Sequence, residues 1–245
     1  MARRPAAPPN GSLPAAVAQA GAQVTLEQSL AGFLAIDRRI AIAAGRELPS
    51  RATGAVLFAD LVGFTTLVEA LGNELGPRRG AEELSLHMSR LFEKLTARVH
   101  SWGGSVVTFI GDAMLCWFDA GDGTVPDESS ARAAHAAFAL QRAVDSFTQL
   151  RAANGRSIAF ALKIGTASGG VRRFVLGSET DRLYDLLAGR TVDRAVSAAS
   201  RARPGKVVVS HEILSQAPVR AVSNAEPNSE YVSVVAAETA AATSP

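Results

Sequence analysis

The 245-residue chain has a single cysteine, Cys116. One thiol excludes an intrachain disulfide framework and points to a reducing compartment, the cytoplasm. It stands beside Trp117 in an apolar run, where an inert core thiol is the plain reading. Charge of one sign is also scarce. With 25 Lys and Arg against 23 Asp and Glu, the net charge is +2, and the pI near 9.0 reflects a small arginine excess rather than a basic patch. No nucleic-acid partner is implied. No run approaches the roughly 18 apolar residues of a membrane span, so no membrane partner is implied either. The Met1-Ala-Arg-Arg start lacks an uninterrupted apolar region, because Pro5, Pro8, Pro9 and Asn10 break it. His87, His100, His135 and His211 show no ligand spacing. Pro204-Gly205-Lys206 is followed by Val207 and an apolar strand, where a phosphate-binding loop needs Ser or Thr and a helix.

What is present is enough apolar material, 47% of the residues, for one domain of ordinary size. Residues 1–23, rich in Ala, Pro and Gly, read as a disordered tail, as do residues 236–245. Residues 24–48 read as an N-terminal helix starting near Thr25 and ending near Gly45, with Leu26, Leu30, Phe33, Leu34 and Ile40 on one face. The span 50–235 reads as the main domain. A strand is expected at 54–59, then helices at about 64–75 and 80–101 split by Gly76-Pro77. An Ala-rich helix follows over 130–151, with Phe138, Leu140, Val144 and Phe147 as core candidates. Beyond it the pattern gives a strand over 158–165, a strand pair across 171–187, a helix at 190–202, and strands at 206–210 and 230–235. This order suits an α+β fold, a ferredoxin-like split-βαβ sheet with helices on one face.

Two stretches carry chemistry. Gly54-Ala-Val-Leu-Phe-Ala-Asp60-Leu-Val-Gly63-Phe64-Thr65 reads as a buried strand, a tight turn and a helix start. Gly103-Gly104-Ser-Val-Val-Thr108-Phe-Ile-Gly111-Asp112-Ala-Met-Leu reads as two strands joined by a Gly-Asp hairpin turn. Asp60 alone could be a helix cap and Asp112 alone a turn residue. If the strands are neighbours, the two carboxylates converge, and two adjacent carboxylates stay ionised cheaply only beside a cation. Hard oxygens suit Mg²⁺ or Mn²⁺, which commonly arrive with substrate phosphates. The amides of Gly63, Phe64 and Thr65 would face such phosphates at a helix N-terminus.

These two motifs resemble the catalytic domain of class III adenylyl and guanylyl cyclases. The likeness continues through Lys163-Ile-Gly165-Thr-Ala-Ser-Gly169, Val175-Leu-Gly177 and Gly205-Lys-Val-Val-Val-Ser210. Arg79-Gly80-Ala81-Glu82-Glu83-Leu84 favours the first catalytic half of the soluble, bicarbonate-responsive type and its bacterial relatives. The resemblance implies two Mg²⁺ or Mn²⁺ ions held by Asp60, Leu61 and Asp112, with Asp60 and Asp112 as the catalytic carboxylates. It places phosphate contacts on Gly63, Phe64 and Thr65, with Lys163 on the face where the family carries an Arg, since that Arg position is Ala161 here. The family's purine-reading and charge-stabilising positions fall on Thr108, Leu186, Asp193 and Ser197, which are degenerate.

The function implied is the metal-bearing half of an adenylyl cyclase that converts ATP to cyclic AMP and pyrophosphate at a dimer interface. Its partner would be a second cyclase domain, in a homodimer or a complementary heterodimer. GTP stays open, because Thr108 is neither the Lys expected for ATP nor the Glu expected for GTP. The competing reading is a weak or inactive cyclase-like module that binds nucleotide, or a partner cyclase domain, and regulates it. Arg190, Arg194, Arg201 and Arg203 read as a solvated helix face rather than a polyphosphate clamp.

Overall fold

In the computed structural model the chain divides into two units, Met1–Phe33 and Leu34–Pro245. The described residues are 34–121, 128–145, 150–151, 157–158, 160–177, 184–217, 219–221 and 230–237, all in the second unit. Helix α1 (Ile36–Ala43) comes first, then strand β1 (Arg51–Val62) and helix α2 (Phe64–Ser101). Next are β2 (Ser105–Ile110), β3 (Ala113–Asp119) and α3 (Ser129–Asp145). A two-residue pair, β4 (Leu150–Arg151) and β5 (Ser157–Ile158), forms a separate small sheet. The long β6 (Ala161–Leu176), β7 (Tyr184–Ala188) and α4 (Arg190–Arg201) follow. The last elements are β8 (Lys206–Ser210), α5 (His211–Gln216), β9 (Val219–Ala221) and β10 (Tyr231–Ala237).

The main sheet runs β2-β3-β1-β6-β8-β10-β9, with β7 added beside β6. Its first four strands have the ferredoxin-like order: β1 and β2 run the same way, with β3 between them and antiparallel to both. Alternation along β1 divides the side chains between two faces. Ala55, Leu57, Ala59 and Leu61 enter the larger core with α2, α3 and α5, through Leu67, Leu91, Leu95, Val99, Leu140 and Ile213. Val56 faces the other way, into a smaller cluster with Leu115, Trp117, Ala167, Val171 and Leu187, closed by Ala195 of α4. Three helices therefore share one face as expected, and α4 departs by lying on the opposite one. Gly165 permits it: a Cβ there would meet Ala195 O at 2.1 Å and Ala199 N at 2.2 Å. The helix backbone lies directly on the strand.

Other expectations fare unevenly. The break in α2 falls at Gly76 (φ 78°, ψ 169°), just before Pro77. β1 is longer than the apolar run suggested, because β6 pairs with it from Arg51 to Val62. The Ala-rich helix is expected to reach 151 but is described only to Asp145, and Leu150–Arg151 pair as a strand. Leu140 and Val144 are buried and Phe138 is half-buried, while Phe147 lies outside the described residues. Residues 161–165 of the expected 158–165 strand and the first half of the 171–187 pair are one continuous β6, whereas Ile158 falls in β5 of the small separate sheet. Helix α5 and strand β9 are additions.

The N-terminal helix needs a real correction. Its Thr25–Phe33 part, with Leu26, Leu30 and Phe33, lies outside the described residues. Of the remaining expected buried face, Ile40 is 57% exposed and Leu34 37% exposed. Polar residues of α1 fasten it to the sheet. Asp37 accepts from Arg173 at 2.6 Å, and the Arg38 guanidinium donates two hydrogen bonds to Asp185 at 3.0 and 3.1 Å.

Candidate active site

The two carboxylates converge as the strand pattern requires. Asp60 lies opposite Ala113 of β3 on one side and Lys163 of β6 on the other. Asp112 immediately precedes Ala113, in the turn that pairs Ile110 with Ala113. The Leu61 amide donates to the Asp112 carbonyl at 3.3 Å, fastening the hairpin tip to β1. Neither carboxylate makes a salt bridge with another described residue. Burial raises the Asp60 pKa above the ordinary carboxylate range; the negative charge of Asp112 raises it further, and Lys163 opposes both. A pair of oxygen donors whose ionisation is resisted by partial burial and mutual repulsion is a fit place for a hard cation.

The helix start is equally close in sequence. Gly63 is the N-cap of α2 with φ 104°, ψ −7°, a conformation that suits glycine, and no side chain caps the helix there. The Leu67 amide already reaches back to the Gly63 carbonyl at 3.1 Å, which leaves the amides ahead of it for an outside acceptor. Phe64 is half-buried against the core, anchoring this turn, and Thr65 is exposed.

Lys163 shares the face of Asp60, while Ala161 stands opposite Val62 at the strand end. Thr108 is half-buried, pairs with Leu115 past an irregularity in β2, and donates from its hydroxyl to the Phe109 carbonyl at 3.3 Å. Leu186 is not beside the carboxylates. It pairs with Phe174 in the distal part of β6, whereas Asp60 pairs at Lys163. Lys163 to Phe174 spans about 35 Å of extended strand. Asp193 is exposed in the first turn of α4, and Ser197 is half-buried one turn later. One chain thus assembles Asp60, Asp112, Lys163 and the α2 N-terminus, and holds Leu186 apart from them. Two clefts, of about 650 and 530 Å³, are lined by Arg51, Thr53, Arg172 and Gly189 in one case and by Lys94, Arg98, Trp102 and Arg142 in the other. Neither includes a carboxylate of the pair.

Two arginines of α4 have structural employment. Arg194 pairs with Glu212 and Glu230, and Arg201 lies over the Tyr231 ring at 4.5 Å. Cys116 is fully buried, which pushes its pKa up and keeps the thiol protonated. His135 stacks on Trp102, with centroids 4.7 Å apart. The sequence reading missed the buried group formed by Asp37, Arg38, Arg173 and Asp185. A signal was present: Arg173 follows Val171 at the spacing of one strand face, a charge on an inward position.

An α+β sheet sets two aspartates near the end of β1, beside a bare helix N-terminus, an arrangement compatible with binding phosphate groups. The chain belongs to the Adenylate and Guanylate cyclase catalytic domain family, whose profile matches residues 49–232. It is 26% identical over 157 residues to adenylate cyclase type 10 of Mus musculus, and 28% identical over 163 residues to that of Oryctolagus cuniculus. Each match covers 64% of this chain and only 9% of the relative's length. Among solved structures, the adenylyl cyclase CyaB from P. aeruginosa aligns with a TM-score of 0.60 at 21% identity, covering 77% of this chain and 96% of that one. The guanylate cyclase domain of RhGC from Catenaria anguillulae, in complex with GTP, aligns with a TM-score of 0.58 at 22% identity, covering 78% and 100%. These structures share the fold, and they include both nucleotide types.

Proposed function

We propose that this chain is the metal-bearing half of an adenylyl cyclase, converting ATP to cyclic AMP and pyrophosphate at an interface with a second cyclase domain. The observation that carries the reading is the convergence of Asp60 and Asp112 at the end of β1, beside Lys163 and the uncapped start of α2. Asp60, Asp112 and Leu61 would hold Mg²⁺ or Mn²⁺. Such ions, when bound, supply Lewis-acid polarisation of the phosphate and lower the pKa of the attacking hydroxyl. The amides of Gly63, Phe64 and Thr65 would donate to the polyphosphate oxygens, and Lys163 would add positive charge on the same face. In the reaction the ribose 3′-oxygen bonds to the α-phosphorus as its proton leaves. The bond from that phosphorus to the bridging oxygen breaks, and pyrophosphate departs. The purine side would come from the facing domain, because this chain presents Thr108, Leu186, Asp193 and Ser197 at the matching positions. GTP is the other candidate substrate, since Thr108 fits neither purine's expected reader.

A second reading has its own support. Ala161, Asp193 and Ser197 stand where the resemblance expects an Arg, an Asn and an Arg, so the domain could bind nucleotide or a partner cyclase domain without turning over. Cyclic nucleotide formation decides between them. The purified chain should be assayed with ATP and with GTP, alone and mixed with a domain that carries Lys, Asn and Arg at those positions. Product in the mixture, abolished by Asp60→Asn in this chain, supports the catalytic reading. Absence of product in every mixture, with nucleotide binding retained, supports the regulatory one.

A further inference from the structure

The buried charge group on α1 has a consequence for the far end of β6. Arg173 has a side chain only 2% exposed and sits between two carboxylates, Asp37 of α1 at 2.6 Å and Asp185 of β7 at 3.6 Å. Asp185, 8% exposed, is shared with Arg38 of α1 at 3.0 Å. A further link runs from the Asp37 amide to the Ser105 hydroxyl of β2 at 3.1 Å. Every charge in the group has an opposite charge in contact, and the four come from three elements, α1, β6 and β7.

Apolar burial does little of this work. Ala41 is the buried residue of α1, while Ile40 and Ile42 are 57% and 59% exposed. An eight-residue helix is too short to persist by itself, so its existence depends on what it docks to. Losing α1 would leave Arg173 buried with half of its neutralising charge gone, and a buried charge that loses a partner is strongly destabilising. The cost would fall where Arg173 stands, in the β6–β7 arm formed by Arg172–Leu176 and Tyr184–Ala188. That arm extends past the β1 ladder, which ends at the Arg51–Arg172 pair, and carries the exposed apolar residues Phe174, Val175 and Leu176.

We propose that α1 is a charge-locked strap, and that Arg173 is the positioning residue through which docking of α1 and placement of the β6–β7 arm fix each other. A displacement of α1 is thereby converted into a displacement of the apolar surface on the arm. Because the coupling is thermodynamic, it runs both ways: loosening the arm loosens α1. This inference stands on the ion pairs alone and is independent of whether the chain makes a cyclic nucleotide.

Hydrogen–deuterium exchange on the full chain tests it. In Asp37→Asn, the amides of Arg172–Leu176 and Tyr184–Ala188 should exchange about tenfold faster, with the β1–β3 core unchanged. In Asp185→Asn, the reciprocal effect should appear in the amides of Ile36–Ala43. Arg38→Gln removes a partner of Asp185 but leaves both carboxylates beside Arg173, and should produce the same pattern at smaller amplitude; it decides the matter if the Asp37 variant does not fold. Acceleration confined to α1 in Asp37→Asn or Arg38→Gln, with the arm unmoved, would overturn the coupling. So would uniform acceleration across the sheet, which would mark the group as general stabilisation only.

Discussion

Asp60 stands directly opposite Lys163 in the β1–β6 ladder, and that lysine is the positive charge that offsets part of the repulsion from Asp112. The pair sets how the domain responds to pH. A carboxyl whose pKa is raised on folding holds its proton more tightly in the folded chain. Its contribution to stability is therefore most favourable at low pH, declines as pH rises from the ordinary carboxylate range through the raised value, and is flat above it. Asp60→Asn removes that decline. The metal-free variant should melt about 1–3 °C higher than wild type at pH 7, with the difference vanishing near pH 4. Wild type should gain thermal stability on adding Mg²⁺ or Mn²⁺, and Asp60→Asn and Asp112→Asn should lose that gain. Thermal melts across pH, with and without the ion, measure both. An unchanged metal response in both variants would place the ion elsewhere.

Lys163→Gln should act in the opposite direction on the metal-free protein. Without the lysine the Asp60 pKa rises further, so ionising Asp60 near neutral pH costs more. The group is partly solvated, and screening holds the loss below about 1 kcal/mol. If the lysine also meets the polyphosphate, nucleotide affinity should fall about tenfold while Asp60→Asn retains nucleotide binding in the absence of divalent ion. Titration calorimetry with a non-hydrolysable ATP analogue separates the two effects. Equal affinity in Lys163→Gln and wild type would remove Lys163 from the phosphate side.

Much of this site was legible because its parts are local. A buried strand carrying Asp, a Gly-Asp hairpin and a glycine-led helix start are short patterns, and β1, β2, β3 and α2 follow them. The break at Gly76 is similarly local. What sequence reading lost depends on distant partners. Leu34 and Ile40 have helical spacing, yet α1 is fastened by Asp37 and Arg38 to residues 136 and 147 positions away. No periodicity reports such a partner. The placement of α4 across the sheet rests on Gly165, whose missing Cβ matters only once Ala195 and Ala199 lie over it. Ser210 before His211-Glu-Ile-Leu did carry a helix-start signal, and α5 begins there.

Gly165→Ala tests that placement. The added methyl has nowhere to go, because the atoms it would meet belong to the α4 backbone rather than to a flexible side chain. The helix must lift from the sheet, disturbing the cluster of Val56, Trp117, Val171 and Leu187. A loss of about 1–3 kcal/mol is expected, seen as a shifted denaturation midpoint with little change in slope. Gly170→Ala, where a Cβ would meet nothing within 4 Å, is the matched control and should fall within about 0.5 kcal/mol of wild type. Equal losses in the two variants would show that α4 does not depend on this close approach.

The isolated chain should be a poor cyclase even when paired with itself. A two-fold pair offers the same residues at both sites. Each would set Asp60, Asp112 and Lys163 of one subunit against Thr108, Leu186, Asp193 and Ser197 of the other. The facing side then brings no cation to the phosphates from those four positions, and Asp193, exposed at the start of α4, adds a negative charge. Loss of a charge-assisted contact to the transition state costs on the order of two to four powers of ten in rate. Supplying a facing domain with Lys, Asn and Arg at those positions should restore one working site per mixed pair, with activity rising to a plateau at equal amounts of the two chains. Asp60→Asn in this chain should abolish it, while the corresponding change in the added domain should not. Robust cyclic nucleotide production by the pure chain, absent in its Asp60→Asn form, would instead mean that it finds its transition-state charge elsewhere, with Arg190 at the head of α4 the first residue to substitute.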